Sequence, residues 1–495
     1  MTKEQSVFLM NTLATLLCFI HTFPFPSRFI HTLDGFEDAS ERVYTKMNLL
    51  LEQSEDTEVF LNILQKKSEK IRTEENQKNI LEAYHLCIWL DQMLTYEDIS
   101  DNKLSLYDLI PLREHACIGI DSLNDNYKKT GIWINPKLPV FKTTMTLNDG
   151  REQERSSANR DAFTGINGEL HKISYSIWNN GYIIHNIIVP YEYREHNGKN
   201  NAEGNLRVGF IPISDKTDLI DPYCKTVAEG PYMLRKIYID HPKHEKLICT
   251  RLKQGLELAC AHNVDIVFTP EMLGTTQTEE QTGNYNMFVR QIYMNAVTGG
   301  KKPPLITVMP SYWHGGVNSA AILYRDGKIL GRQKKYTPYI NFKSCSAEGI
   351  QLETIKEIYL IHIYGVHRIA ISICAEFISD FNRNLICEQL GATMIIVPSY
   401  SHGERDFTNQ SGTLFPYGTS VLWGNCCGAV THSPRITGGC SLAGSNEIHK
   451  MGSVCRCGFS CNSSKGCLFI IDLPLKVTCS KDTLSSLQPI QHILS

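Results

Sequence analysis

Three short stretches of this chain each set a reactive side chain at the end of an apolar run. VDIVFTP is followed by Glu271, SAAILYRDGKILGRQKK ends on Lys334 and Lys335, and HRIAISI is followed by Cys374. An acid, a cation and a thiol of this kind have a joint chemical meaning. A thiolate is a good nucleophile, but an ordinary cysteine is mostly protonated at neutral pH. A carboxylate beside it can take the thiol proton and later return it to a leaving amine. A lysine can hold the oxyanion that forms between those steps, and the backbone N–H of Ala375, just after the cysteine at a helix start, is a second donor.

Each residue alone has a plain structural role. A cysteine ending a strand packs well as a small core residue. A glutamate after a strand commonly caps, and a lysine after a hairpin is commonly solvated. The ordered triple in matching contexts is what carries the functional reading. Glu376, two residues after the cysteine, reads as a structural cap or ion-pair partner.

These residues need a scaffold. After residue 205 strands and helices alternate: LRVGFIPI, the helix HEKLICTRLKQGLELACAHN, VDIVFTP, LITVMP, a hairpin turning at Asp326-Gly327, HRIAISIC, the helix SDFNRNLICEQLG closed by Gly391, and TMIIVPS. That rhythm predicts an α/β domain with a largely parallel sheet, and chemistry at the carboxyl ends of its strands. Upstream, residues 38–98 have helical periodicity, with Val43, Met47, Leu50 and Leu51, then Ile80, Leu81, Tyr84, Cys87 and Ile88. Residues 116–200 are rich in β-branched and aromatic residues punctuated by Asn-Gly turns, which predicts hairpins, one of them across the Asn-Asn-Gly before Tyr182. DGREQERSSANRD (149–161) reads as a loop and EHNGKNNAEGN (195–205) as a linker. The expected division is a helical domain over 1–115, a β-hairpin-rich segment over 116–204, the α/β domain over 205–475 and a tail over 476–495.

From VDIVFTPE onward the chain resembles the nitrilase superfamily, the carbon–nitrogen hydrolases. That family places a glutamate after the second strand, a lysine after a hairpin and a cysteine after a later strand, in this order. It continues with Gly-Ala and an apolar strand ending near Pro, here GATMIIVPS. An Asn-x-x-Gly element follows, here GNCCGAV, then a Gly-Gly-x-Ser turn, here TGGCSLAG, and a closing strand such as GCLFIIDL. The resemblance covers roughly 205–475. It implies a four-layer α-β-β-α sandwich that assembles as a homodimer or larger homo-oligomer. It implies hydrolysis of a small-molecule amide or nitrile through a Cys374 thioester, with Glu271 as general base and acid and Lys335 as oxyanion stabiliser. No metal or organic cofactor is needed. Lys335 rather than Lys334 matches the family's lysine, which follows Gly-Arg-x-basic. Family members carry a second glutamate between the lysine and the cysteine; the candidates are Glu348 and Glu353, and Glu348 is preferred. Ala375 stands where an aromatic residue is common.

Loops at the same edge supply candidates for the substrate pocket: Tyr312, Trp313, Tyr336, Tyr400 and His402. CRCGFSCNSSKGC groups Cys455, Cys457, Cys461 and Cys467, but without the paired C-x-x-C spacing of common zinc sites, so unpaired thiols are the expectation. The net charge of -3 advertises no nucleic acid, and the 17 cysteines, odd in number and irregularly spread, suit reduced thiols in a cytoplasmic protein. SVFLMNTLATLLCFIH (6–21) is too mixed for a membrane span and lacks the flanks of a signal peptide, so a buried helix is expected. The extra 200 residues motivate two alternatives to hydrolysis. One is acyl transfer to another nucleophile. The other is service as an assembly or partner module, with the N-terminal region binding a protein, as in phage-defence systems where similar domains are fused to other modules.

Overall fold

A computed structural model of the chain describes residues 3–24, 27–54, 56–93, 130–136, 144–146, 152–154, 166–170, 173–177, 182–189, 205–229, 231–351, 353–363, 366–379, 385–414, 417–430, 436–442, 448–451, 466–474 and 491–494. Its helices and several sheets make a mixed α/β fold.

Two sheets share one apolar core. Among the described residues the first has eight strands, ordered 312–314, 317–324, 306–308, 266–268, 205–210, 467–474 and 491–494, with 329–334 added alongside 317–324. The second has seven, ordered 448–451, 438–441, 420–425, 394–399, 367–371, 356–363 and 182–189. Neither sheet is mostly parallel. Ile266–Phe268 runs parallel to both of its neighbours, and Met394–Ser399 does the same in the second sheet. The flanks are antiparallel because 308–317 and 363–367 are too short for a crossover helix and turn back as hairpins.

Strand alternation decides which side chain meets which layer. Ile266 and Phe268 face the core between the sheets, whereas Val267 faces the helices Glu245–Ala261 and Met287–Thr298 on the outer side. Ala320 and Ile322 against Ala321 and Leu323 repeat the division, as do Phe469 and Ile471 against Leu468 and Ile470. From the second sheet, Leu360, Ile369, Ile371, Met394 and Ile396 fill the shared core, and Phe407 stacks on Trp423 with ring centroids 5.5 Å apart. The Asp326-Gly327 hairpin forms as expected: Gly327 takes φ 80° and the Asp326 carboxylate accepts the Lys328 N–H at 2.9 Å.

The N-terminal helices Lys3–Ile20, Phe36–Gln53, Thr57–Ile71 and Gln77–Met93 bury Leu13, Leu16, Leu17, Met47, Leu64 and Leu86 in a second core. The stretch beginning at residue 6 is therefore helical with a buried face. No helix among the described residues is long and apolar enough to cross a membrane.

The middle region departs from expectation. Ile173–Ile177 and Tyr182–Val189 do not pair across the Asn-Asn-Gly turn. Ile173–Ile177 pairs with Ile132–Pro136, and Ile132, Ile134, Ile173 and Tyr175 belong to the helical core. Tyr182–Val189 joins the second sheet, parallel and residue for residue with Lys356–Ile363. There it buries Tyr182, Ile184 and Val189 in the main core, a larger apolar surface than a two-stranded hairpin offers. Two strands thus cross the expected boundaries: Tyr182–Val189 lies before residue 204, and Gln491–Leu494 lies in the expected tail yet pairs with Cys467–Pro474. Within the expected 149–161 loop, Glu152–Glu154 is instead a strand paired antiparallel with Thr144–Thr146, while the rest of that stretch and most of the 195–205 linker lie outside the described residues.

Candidate active site

The site lies where one strand of the second sheet holds both reactive loops. Met394–Ser399 ends at two carbonyls that point outward to neighbours. Pro398 accepts the Cys374 N–H at 2.9 Å, and Ser399 accepts the Glu271 N–H at 3.3 Å. Cys374 follows His367–Ile371 of the second sheet, and Glu271 follows Ile266–Phe268 of the first. The two side chains are thus brought together across the gap between the sheets.

Cys374 is buried and sits at φ 50°, ψ −108°, just before the short helix Ala375–Ile378. A non-glycine residue there carries backbone strain of order 1–3 kcal/mol and persists only when its surroundings fix it. The Pro398 carbonyl and the Phe377 N–H, which donates to the Cys374 carbonyl at 3.0 Å, do so. The Ala375 N–H has no hydrogen-bond partner among the described residues and is free to act as a donor.

Lys335 is the centre of the charge cluster. Its Nζ lies 2.7 Å from Glu271 Oε1 and 2.7 Å from Glu348 Oε2, with all three side chains almost completely excluded from solvent. Lys334, one residue earlier and on the opposite side of the strand, reaches Glu353 at 2.8 and 3.0 Å. The two lysines and the two candidate glutamates are sorted by strand alternation into one buried set and one partly exposed pair. Burial would lower the Lys335 pKa, but the charges of Glu271, Glu348 and Cys374 outweigh it and hold the ammonium well above the usual lysine range.

The Glu271 pKa is raised as well, which here disfavours the charged form. Burial raises its carboxyl pKa and the Glu348 charge adds to that, against the opposing pull of Lys335 and of the nearby Cys374 thiol. Its Oε1 accepts from Lys335 Nζ and, at 2.9 Å, from Asn318 Nδ2. Its Oε2 has no nitrogen or oxygen donor among the described residues. Burial, and then the Glu271 charge, raise the Cys374 pKa, with Lys335 opposing. The resting cluster therefore favours a neutral thiol beside a carboxylate that takes up protons readily. That arrangement suits proton transfer during attack better than a standing thiolate.

Three contributors have no signature in the residue types. Asn318 is buried, fixes Glu271 through Nδ2, and accepts the Lys335 N–H on its carbonyl at 2.8 Å. The Tyr400 N–H stabilises the charged form of Cys374. The Tyr339 N–H donates to Glu348 Oε2 at 2.9 Å. Main-chain donors are invisible in a residue string, and Asn318 sits in NSAAILY, where it reads as an ordinary strand start.

The expected pocket residues scatter. Tyr400 lies against Cys374 through its backbone N–H. Tyr312 is half-buried and stacks on His314 with centroids 5.9 Å apart, and His402 is exposed. Trp313 is buried with Ile239 and Ile350 in a separate small cluster. Tyr336 spends its hydroxyl on the Glu357 N–H at 2.7 Å. The apolar and hydrogen-bonding demands of those two side chains are met away from the thiol. Glu376 accepts the Tyr336 N–H at 2.7 Å and the Ile373 N–H at 3.3 Å. Among the described residues no group of three His, Cys, Asp or Glu could hold a metal. Cys455, Cys457 and Cys461 lie outside those residues, and Cys467 is buried at the start of its strand.

No protein-family model matches this chain, and no curated protein matches it. Solved structures do. An amidase from Nesterenkonia sp. is 11% identical, covering 57% of this chain and 95% of its own, with a TM-score of 0.34. The resemblance is to nitrilase-superfamily amidases. Saccharomyces cerevisiae Nit3, of the same superfamily, is 13% identical over 49% of this chain and 88% of its own, with a TM-score of 0.30. The glutamine-dependent NAD+ synthetase from Acinetobacter baumannii is 15% identical over 56% of this chain, but only 46% of its own, with a TM-score of 0.33.

Proposed function

We propose that residues 205–475, with the strands Tyr182–Val189 and Gln491–Leu494 added to their two sheets, form a carbon–nitrogen hydrolase domain of the nitrilase superfamily, an α-β-β-α sandwich that cleaves small-molecule amides. The observation that carries this reading is the convergence of Glu271, Lys335, Glu348 and Cys374 in one water-excluded cluster at the ends of strands from three sheets.

Each group has one task. As the Cys374 sulfur bonds to the carbonyl carbon, its proton passes to Glu271. The carbonyl oxygen becomes negative and is held by Lys335 Nζ and the Ala375 N–H. The C–N bond then breaks, and the proton on Glu271 goes to the departing amine. The thioester that remains is attacked by water, which gives a proton to Glu271. The carboxylic acid leaves, and the sulfur recovers that proton. Glu348 keeps Lys335 protonated and aimed, and Asn318 fixes the rotation of the Glu271 carboxylate. Hydrolysis and acyl transfer share the first half of this sequence and differ only in the final nucleophile.

The test is a panel of small primary amides, secondary amides and nitriles, read by ammonia or amine release, with Cys374→Ala as control. Hydroxylamine is then added to separate the two fates of the thioester. Release that needs Cys374 and yields the free acid supports hydrolysis. Product formed only with an added amine or hydroxylamine supports transfer. No release with any compound, from folded protein, contradicts both.

A further inference from the structure

Glu376 lies two residues after Cys374, in the short helix Ala375–Ile378, and the catalytic steps above do not use it. It is buried, and its two carboxylate oxygens are divided between two different loops. Oε1 accepts the N–H of Tyr336, the residue directly after Lys335. Oε2 accepts the N–H of Ile373, the residue directly before Cys374. The first loop leaves the first sheet and the second leaves the second sheet. Tyr336 is pinned again at its other end, through its hydroxyl, to the main chain of Glu357. Beside the carboxylate is a small cavity lined by Gln333, Tyr336, Lys356 and Ser372, and the Ser372 hydroxyl has no hydrogen-bond partner among the described residues.

We infer that Glu376 is a positioning residue: one carboxylate clamps the lysine loop to the nucleophile loop and so sets the separation of Lys335 from Cys374. This rests on the reading of Cys374 as the nucleophile. The strained backbone at Cys374 makes the clamp necessary, because a residue at φ 50° relaxes when its neighbours let go. A uniformly buried acid would also serve as packing. Packing alone does not require that its two oxygens serve the amides flanking the two reactive residues.

The test combines two readouts on the full chain. Backbone amide hydrogen exchange is followed at Tyr336 and Ile373 in wild type and Glu376→Ala, with the Met394–Ser399 strand as the check on folding. Alkylation of Cys374 by iodoacetamide is followed in parallel by peptide mapping. The clamp predicts that both amides exchange at least about tenfold faster while the strand is unchanged. It predicts that Cys374 alkylation slows by about fivefold or more as the thiol loses its alignment. Should Glu376→Ala fail to fold, Glu376→Gln retains one carbonyl acceptor and is expected to free one amide and give an intermediate rate. Faster exchange with unchanged alkylation would make Glu376 structural only and overturn the inference. Unchanged exchange at both amides, with Cys374 still selectively labelled, would overturn the clamp and leave the proposed function standing. Labelling of wild-type Cys374 no faster than the exposed Cys224 and Cys345 would overturn the proposed function and the positioning role with it.

Discussion

Cys374 and Glu271 hang from adjacent carbonyls of one strand: the N–H of Cys374 donates to Pro398 at 2.9 Å and that of Glu271 to Ser399 at 3.3 Å. Thiol and carboxylate come from different sheets, about a hundred residues apart in sequence, yet their backbones are gauged against two adjacent peptide units of one strand. The relative placement of thiol and carboxylate is thus set by main-chain hydrogen bonds, which substitutions that keep those bonds leave in place. Changes to the side chains at this site should therefore report on chemistry and charge rather than on the fold's architecture.

Replacing Lys335 by methionine keeps the length of the side chain and removes its charge. Glu271 and Glu348 then face each other with no cation between them. Breaking a buried ion pair in this way costs about 3–5 kcal/mol. Denaturant unfolding at pH 8 should show a loss of that order. The double variant Lys335→Met with Glu348→Gln should recover a substantial part of it, since only one buried carboxylate is left. An unchanged midpoint in the single variant would mean that the three side chains are not charged as a set.

On the proposed mechanism, the acid limb of activity follows from Glu271. Its pKa is raised by burial and by Glu348, so the carboxylate that must accept the thiol proton is lost on acidification sooner than an ordinary glutamate would be. The rate of amide cleavage, or of Cys374 alkylation, should fall as pH drops through a value above the usual glutamate range near 4.3. Glu348→Gln removes one of the raising influences and should move that limb to lower pH. A limb that stays in place would separate it from Glu271.

Asn318→Ala removes the donor at 2.9 Å from Glu271 while leaving the Lys335 contact. The lost hydrogen bond to a charged group corresponds to about 1.5–3 kcal/mol, or roughly 10- to 150-fold in kcat/KM if it acts in the transition state. Asn318→Asp places a second carboxyl beside Glu271 and should raise the acid limb further. Steady-state kinetics across pH distinguishes the two variants.

Glu376 gives a stability signature of opposite sense to an ion-paired acid. Burial raises its carboxyl to about 7, against the pull of the Tyr336 and Ile373 N–H groups and of Lys335 and Lys356. A raised folded-state pKa means that the native state holds the proton more tightly than the unfolded chain does. The contribution is fully present below about pH 4.5 and is lost as pH rises through about 7. Wild type should therefore lose about 3 kcal/mol relative to Glu376→Gln between those limits, at about 1.4 kcal/mol for each pH interval of one. Parallel melts of the two proteins at pH 5 and pH 8 measure this, and a constant difference would contradict it.

Much of the site can be read from residue order because Glu271 and Cys374 each follow a strongly apolar run and Lys335 ends a hairpin. VDIVFTP, ILGRQKK and HRIAISI could each be recognised as strands, and a strand end is a well-defined place. Glu348 was harder to separate from Glu353, since the segment around them has no hydrophobic period. The strand Ser346–Glu348 pairs locally with the two-residue strand Ile340–Asn341 and, more than a hundred residues away, with Tyr232–Ile239. Asn318 and the Tyr400 N–H were not legible at all, because their roles depend on direction and not on type. Trp313 and Tyr336 illustrate the converse: aromatic residues at a functional edge turned inward, one to a local apolar cluster and one to a main-chain amide. At the level of fold, the turn residues before Tyr182 suggested a local hairpin. A parallel partner of equal length in Lys356–Ile363 offered more apolar burial and won.

The central claim is that Cys374 is a nucleophile served by Glu271. Its most direct measurement is mass spectrometry after limiting iodoacetamide, with peptide mapping, comparing wild type with Glu271→Gln and Cys374→Ala. The account predicts labelling concentrated at Cys374 ahead of the exposed Cys224 and Cys345, slowed by about tenfold or more in Glu271→Gln, where no carboxylate takes the proton. Labelling of Cys374 that is no faster than the exposed thiols, or that is indifferent to Glu271→Gln in a folded protein, would contradict it.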